Sequence, residues 1–95
     1  RFAAKTAGLD GVLLPTVMNV PPPVAALAEM PDYLRYNGMS LRNTYLGNFL
    51  NCCAISLPMS EPGAAPTGLM VMDSWGRDQK LLSVSAAIST VLAAN

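Results

Sequence analysis

Three short apolar runs, each closed off by turn-forming residues, constrain the fold of this chain more than any other feature. They occupy residues 12–14, 52–57 and 69–72. Apolar runs of this length are typical of buried strands, and they are far shorter than the about 20 residues that span a bilayer. The first run lies between Gly11 and Pro15, which predicts a strand buried on both faces in a parallel or mixed sheet. We therefore expect a sheet and no transmembrane helix.

Turn residues and helical periodicity predict the elements around these strands. Residues 60–67 are rich in proline, glycine and serine, so the last two runs are expected to form an antiparallel hairpin with a long connection. Ser40 is the expected start of a helix running to about Leu50, after a segment 24–38 that is mostly loop with a short helix near residues 24–29. A terminal helix beginning at Asp78 is expected to cover the sheet with one apolar face, formed by Leu81, Val84, Ile88 and Val91.

The composition does not suit an independent small domain. Of 95 residues, 52% are hydrophobic and 13% are charged, whereas about 25% charged residues is usual in a soluble domain. A chain of this size buries only roughly 60 to 65% of the surface that it exposes when unfolded, so much of its surface stays in contact with water and needs polar groups. The apolar excess therefore predicts one part of a larger α/β domain, incomplete by itself.

Charge and cysteine usage exclude several classes of function. Six basic and six acidic residues give a formal net charge of +0, and no basic cluster is present, so we expect neither a nucleic-acid nor a membrane partner. The sequence contains no histidine, which excludes Ser-His-Asp and Cys-His catalysis within the chain. Cys52 and Cys53 are adjacent and surrounded by apolar residues, which predicts buried thiols, no metal site and a reducing, cytoplasmic setting.

Three blocks, in this order along nearly the whole chain, carry a family resemblance. They are DGVLLPT at residues 10–16, NFLNCCAISLP at 48–58 and PTGLMVM at 66–72. Together they resemble the carboxyl-terminal part of the amidase signature family, which has a D-x-hydrophobic-PT strand, an N-x-x-G-x-P-A-x-S-x-P passage and a P-x-G-hydrophobic strand there. The chain departs from that pattern at Asn51, where the family usually has glycine, and at Cys53, where it usually has proline.

The resemblance implies both a fold and an activity. Residues 1–95 would form the carboxyl-terminal fragment of a single larger amidase-like domain, with a mixed β-sheet covered by helices. The parent protein would hydrolyse carboxamide C–N bonds through two serines and a lysine that lie upstream, so this chain holds no catalytic residue, metal or cofactor. The expected partners are the upstream part of the same polypeptide and a small-molecule amide, and a homodimer of the full-length protein is left open.

Two other functions stay open at this point. One is the glutaminase (A) subunit of a tRNA-dependent amidotransferase. Such subunits usually place an acidic residue seven positions before the asparagine that aligns with Asn48, and this chain has Leu41 there. The other is a non-catalytic α/β interaction fragment, which an upstream sequence without the Gly/Ser-rich signature of the family would favour.

Thr44 and Asn48 are the candidate substrate-binding residues. They lie four positions apart and therefore on one helical face, and by the resemblance this helix borders the acyl-binding cavity. The alternative for Asn48 is that its side chain caps the end of the helix. Ser56 lacks a neighbouring base and is expected to be a small buried strand residue, whereas Arg42 is expected to be solvated or ion-paired.

Overall fold

The computed structural model of the chain describes residues 1–94. Within these residues it has three α-helices, three strands and one 3₁₀ turn. In chain order they are α1 Phe2–Thr6, β1 Val12–Pro15, the 3₁₀ turn Val24–Leu27, α2 Met30–Phe49, β2 Cys53–Pro58, β3 Gly68–Asp73 and α3 Asp78–Ala93.

The three strands form one sheet in the order β1-β3-β2, and both neighbouring pairs are antiparallel. The central strand β3 therefore has a partner on each side, and its Val71 pairs with Leu13 on β1 and with Ile55 on β2. The predicted hairpin of β2 and β3 is present, as is the predicted α/β arrangement of a sheet with covering helices. No helix within residues 1–94 has the length and apolar character needed to cross a membrane.

One face of the sheet packs against α3 and holds the larger buried cluster, while Met70 and Met72 are buried on the other face. Leu57 and Val71 from the sheet and Leu81 from the helix are buried, and partly buried apolar side chains surround them: Cys53, Ile55, Val84, Ile88 and Leu92. The predicted inward face of α3 is correct except at Val91, which is 64% exposed. At about 100° per residue, Val91 lies about 80° around the helix from Leu81 whereas Leu92 lies only about 20° away. Leu92 therefore takes the place in the core.

The prediction that β1 is buried on both faces is wrong. Half-buried and exposed residues alternate along this strand, and Leu13 is 55% exposed. The reason is position: β1 lies at the edge of the sheet, while α3 packs on β2 and β3. A short apolar run between turn residues does not distinguish a central strand from an edge strand whose face is left uncovered.

Helix α2 begins eleven residues earlier than expected, at Met30 rather than after Ser40. Pro31 lies in its first turn, where the missing N–H is no loss and the fixed φ suits a helix, and Asp32 adds a favourable charge there. Ser40 is a residue of the helix interior and not its cap. None of the residues of α2 is buried. The end of this helix lies beside the second face of the sheet, where Gly47 is close to the Met72 sulfur.

Candidate functional site

The end of α2 fixes where its polar residues lie. Asn51 has a φ of 55°, in the left-handed region. The Cys52 N–H donates to the Gly47 carbonyl at 2.9 Å, and the Asn51 N–H donates to the Asn48 carbonyl at 3.3 Å. These two bonds form a Schellman motif, which ends the helix and turns the chain directly into β2. The last turns of α2 are thereby placed beside this strand.

A cleft of about 360 Å³ lies between this end of α2 and the face of the sheet opposite α3. Thr44 and Asn48 line it from the helix, Ser56 from β2 and Met70 from β3. Thr16, just beyond β1, completes one side of the cleft. No lining residue carries a charge, so the cleft offers hydroxyl, amide and thiol groups together with apolar surface.

The structure brings both predicted site residues to this cleft. Thr44 is half-buried, and its hydroxyl donates to the Leu41 carbonyl at 3.1 Å, which leaves the oxygen lone pairs and the methyl group for a ligand. Asn48 is exposed, and within residues 1–94 its side chain makes no hydrogen bond. Asn48 therefore does not cap the helix with its side chain, since the Schellman bonds use backbone groups. Contact of Thr44 and Asn48 with a substrate stays a prediction.

Thr16 and Ser56 also line the cleft, and the sequence alone did not lead us to place them there. Their hydroxyl oxygens are 2.5 Å apart, and Ser56 is exposed rather than buried, which corrects the expectation for this residue. Alternation along β2 explains the error: Cys53, Ile55 and Leu57 point to α3, so the residues between them face the other side. That alternation is the signal in the sequence that would have placed Ser56 in the cleft.

Gly68 makes the approach of the two hydroxyls possible. It lies on the central strand between them, and a Cβ atom added there would be 3.0 Å from the Thr16 hydroxyl oxygen and closer still to that of Ser56. Any side chain at this position would push the two residues apart. The hydroxyl pair thus depends on a residue with no side chain at position 68.

The two cysteines lie in different surroundings. Cys53 packs against the core below α3, as expected, and its thiol donates to the Ser74 carbonyl at 3.4 Å. Cys52 is half-buried and lines the cleft. Burial raises the pKa of the Cys52 thiol, and the neighbouring Cys53 and Asp73 raise it further. The thiol form is therefore favoured at neutral pH, which does not suit an activated nucleophile.

None of the charged side chains within residues 1–94 lines the cleft. Arg42 is exposed, and its guanidinium contacts the Met18 sulfur at 3.5 Å. The carboxylate of Asp73 is buried and lies 3.6 Å from the Arg77 Nε on the other side of the sheet, near the start of α3. Within residues 1–94 no group of three or more His, Cys, Asp or Glu side chains is placed to hold a metal ion.

Comparison with known proteins gives one distant relationship. Over 85 residues, which is 88% of this chain, the sequence is 27% identical to 2-amino-5-chloromuconic acid deaminase from Comamonas testosteroni. The chain covers 18% of that protein, so it spans under a fifth of the length of this curated relative. No family model matches the chain, and no solved structure matches it significantly.

Proposed function

We propose that residues 1–95 are the carboxyl-terminal part of a larger amidase-like domain that hydrolyses carboxamide C–N bonds. The observation that carries this proposal is the similarity to a deaminase along 88% of the chain. A deaminase releases ammonia from a C–N bond, and hydrolysis of a primary carboxamide likewise breaks a C–N bond, adds water and releases ammonia. The resemblance of the three sequence blocks to the amidase signature family supports the same chemistry.

In this proposal the chain supplies one wall of the substrate cleft and no catalytic group. The two serines and the lysine that the family uses would come from the upstream part of the polypeptide. Asn48 offers both donors and the acceptor of its amide to a substrate, and Thr44 offers a methyl group and an acceptor oxygen. The free thiols of Cys52 and Cys53 favour a reducing, cytoplasmic compartment.

The test uses the full-length protein that contains this chain. It is incubated with a serine-directed fluorophosphonate, and ammonia release from a simple carboxamide is measured before and after labelling. We expect a serine outside residues 1–95 to be labelled and the release of ammonia to stop. Labelling of a cysteine, or no labelling of a protein that is folded, would show that the proposed mechanism is wrong.

A further inference from the structure

The Thr16–Ser56 hydroxyl pair lies where two clefts meet. The cleft beside α2 reaches it from one side, and a second cleft of about 320 Å³, lined also by Thr67 and Gly68, reaches it from the other. The pair spans the central strand over Gly68, on the same side of the sheet as Met70. The hydroxyl pair is therefore a polar group that a ligand can reach from either cleft.

The hydrogen bonding of the pair leaves a donor free. Each hydroxyl has one proton and two lone pairs, so one proton is used between Thr16 and Ser56 and the other remains to be donated. Ser56 is exposed within residues 1–94, and its one hydrogen bond there is to Thr16, so that proton and the remaining lone pairs are left for a ligand. A group that both accepts and donates, such as an amide, matches this arrangement.

The charge of the surroundings selects among polar ligands. Neither cleft is lined by a charged side chain. A carboxylate placed there would lose hydration without gaining a cationic partner, whereas a neutral amide or carbonyl loses much less. The surroundings thus favour an uncharged polar group.

We propose that the Thr16–Ser56 pair binds a neutral polar group of the substrate, such as a second amide, at a distance from the bond that is cleaved. This inference rests on the proposed amidase function and adds two specificity-determining residues to it. Gly68 is part of the same arrangement, because a side chain at this position would collide with both hydroxyls.

The experiment compares linear diamides of four to six carbons with the monoamide and the monoamide-monoacid of the same length, using the full-length protein. We expect the wild type to prefer a diamide over its acid counterpart. Ser56→Ala and Thr16→Val should each raise KM for that diamide about three- to tenfold, which is the usual effect of losing one neutral hydrogen bond. The kcat for the diamide and the KM for the monoamide should change by less than about twofold. Thr16→Ser keeps the hydroxyl and should retain the wild-type preference.

Controls separate binding from folding. Ser83→Ala removes a hydroxyl from an exposed position on α3 and should change nothing, and Tm is measured for every variant. Equal losses on diamide and monoamide, an unchanged KM for the diamide, or a preference for the acid would each overturn the inference. If the wild type hydrolyses none of these amides, the proposed function fails. Calorimetric binding of the diamide to wild type and Ser56→Ala then decides the inference alone, since equal affinities would overturn it.

Discussion

Asn51 shows how one backbone angle sets the position of the cleft. Its φ of 55° ends α2 and starts the turn into β2. Most residues with a Cβ are strained there by about 1 to 2 kcal/mol, whereas glycine is not and asparagine is strained less because its short polar side chain tolerates this region. The glycine that the resembling family has at this position would meet the same requirement.

Substitution of Asn51 is therefore expected to act on stability through the left-handed conformation. Asn51→Ala should lower the free energy of unfolding of the full-length protein by about 1 kcal/mol, and Asn51→Gly should leave it within about 0.5 kcal/mol. Urea unfolding monitored by fluorescence gives both values. A stability for Asn51→Ala equal to that of the wild type would mean that the Schellman turn does not limit stability.

Substitutions of Thr44 and Asn48 are expected to change substrate binding with little effect on stability. The Asn48 side chain is exposed and unpaired within the described residues, so Asn48→Ala should change the free energy of unfolding by less than about 0.5 kcal/mol. If it contacts substrate as proposed, kcat/KM on a carboxamide should fall several-fold. Thr44→Val keeps the shape of the side chain and should alter the ranking of short and long acyl amides with Tm close to wild type.

Two outcomes would contradict this assignment. A loss of stability near 1 kcal/mol for Asn48→Ala with unchanged turnover per folded molecule would return Asn48 to a capping role. Identical acyl-chain profiles for Thr44→Val and the wild type would remove Thr44 from the site. Steady-state kinetics on matched short and long amides, with melting curves of the same samples, distinguish these cases.

At the scale of the elements, α3 contributes one buried apolar side chain to the core, that of Leu81. Leu81 is 4% exposed and packs on Leu57 and Val71, while the adjacent Leu82 is 59% exposed. Leu81→Ala should therefore cost about 2 to 4 kcal/mol, because it removes apolar contacts and leaves a cavity. Leu82→Ala is the matched control and should cost less than about 1 kcal/mol. Denaturant unfolding of the two variants checks the difference, and similar losses would mean that α3 does not pack as described.

What the sequence predicts at this scale depends on how local the signal is. The strands β2 and β3 and most of α3 were predictable because apolar runs and helical periodicity are local. The start of α2 was not, since Pro31 is compatible both with a loop and with the first turn of a helix. The pairing of Thr16 with Ser56 joins residues 40 positions apart and depends on strand order, which no local pattern encodes.

At the scale of the whole molecule, the chain is open for its size. Its radius of gyration is 15.2 Å, against about 12 Å for a compact domain of this length. Its accessible surface is 6602 Å², against about 5,200 Å² for a folded monomer of 10.0 kDa. Large apolar side chains share in this exposure, among them Phe49 at 87% and Trp75 at 75%. These surfaces fit the proposal that further chain packs on them.

This openness predicts how the chain behaves alone. The buried apolar core consists of five residues within 1–94, Leu57, Met70, Val71, Met72 and Leu81. So small a core does not offset the conformational entropy of ordering the chain, about 1 to 2 kcal/mol per residue for the backbone. The isolated 95-residue chain should therefore show no cooperative thermal transition by circular dichroism, and no amide hydrolysis. A sharp two-state transition of a monomer, established by sedimentation at the same concentration, would show that the sheet and α3 suffice as an independent fold.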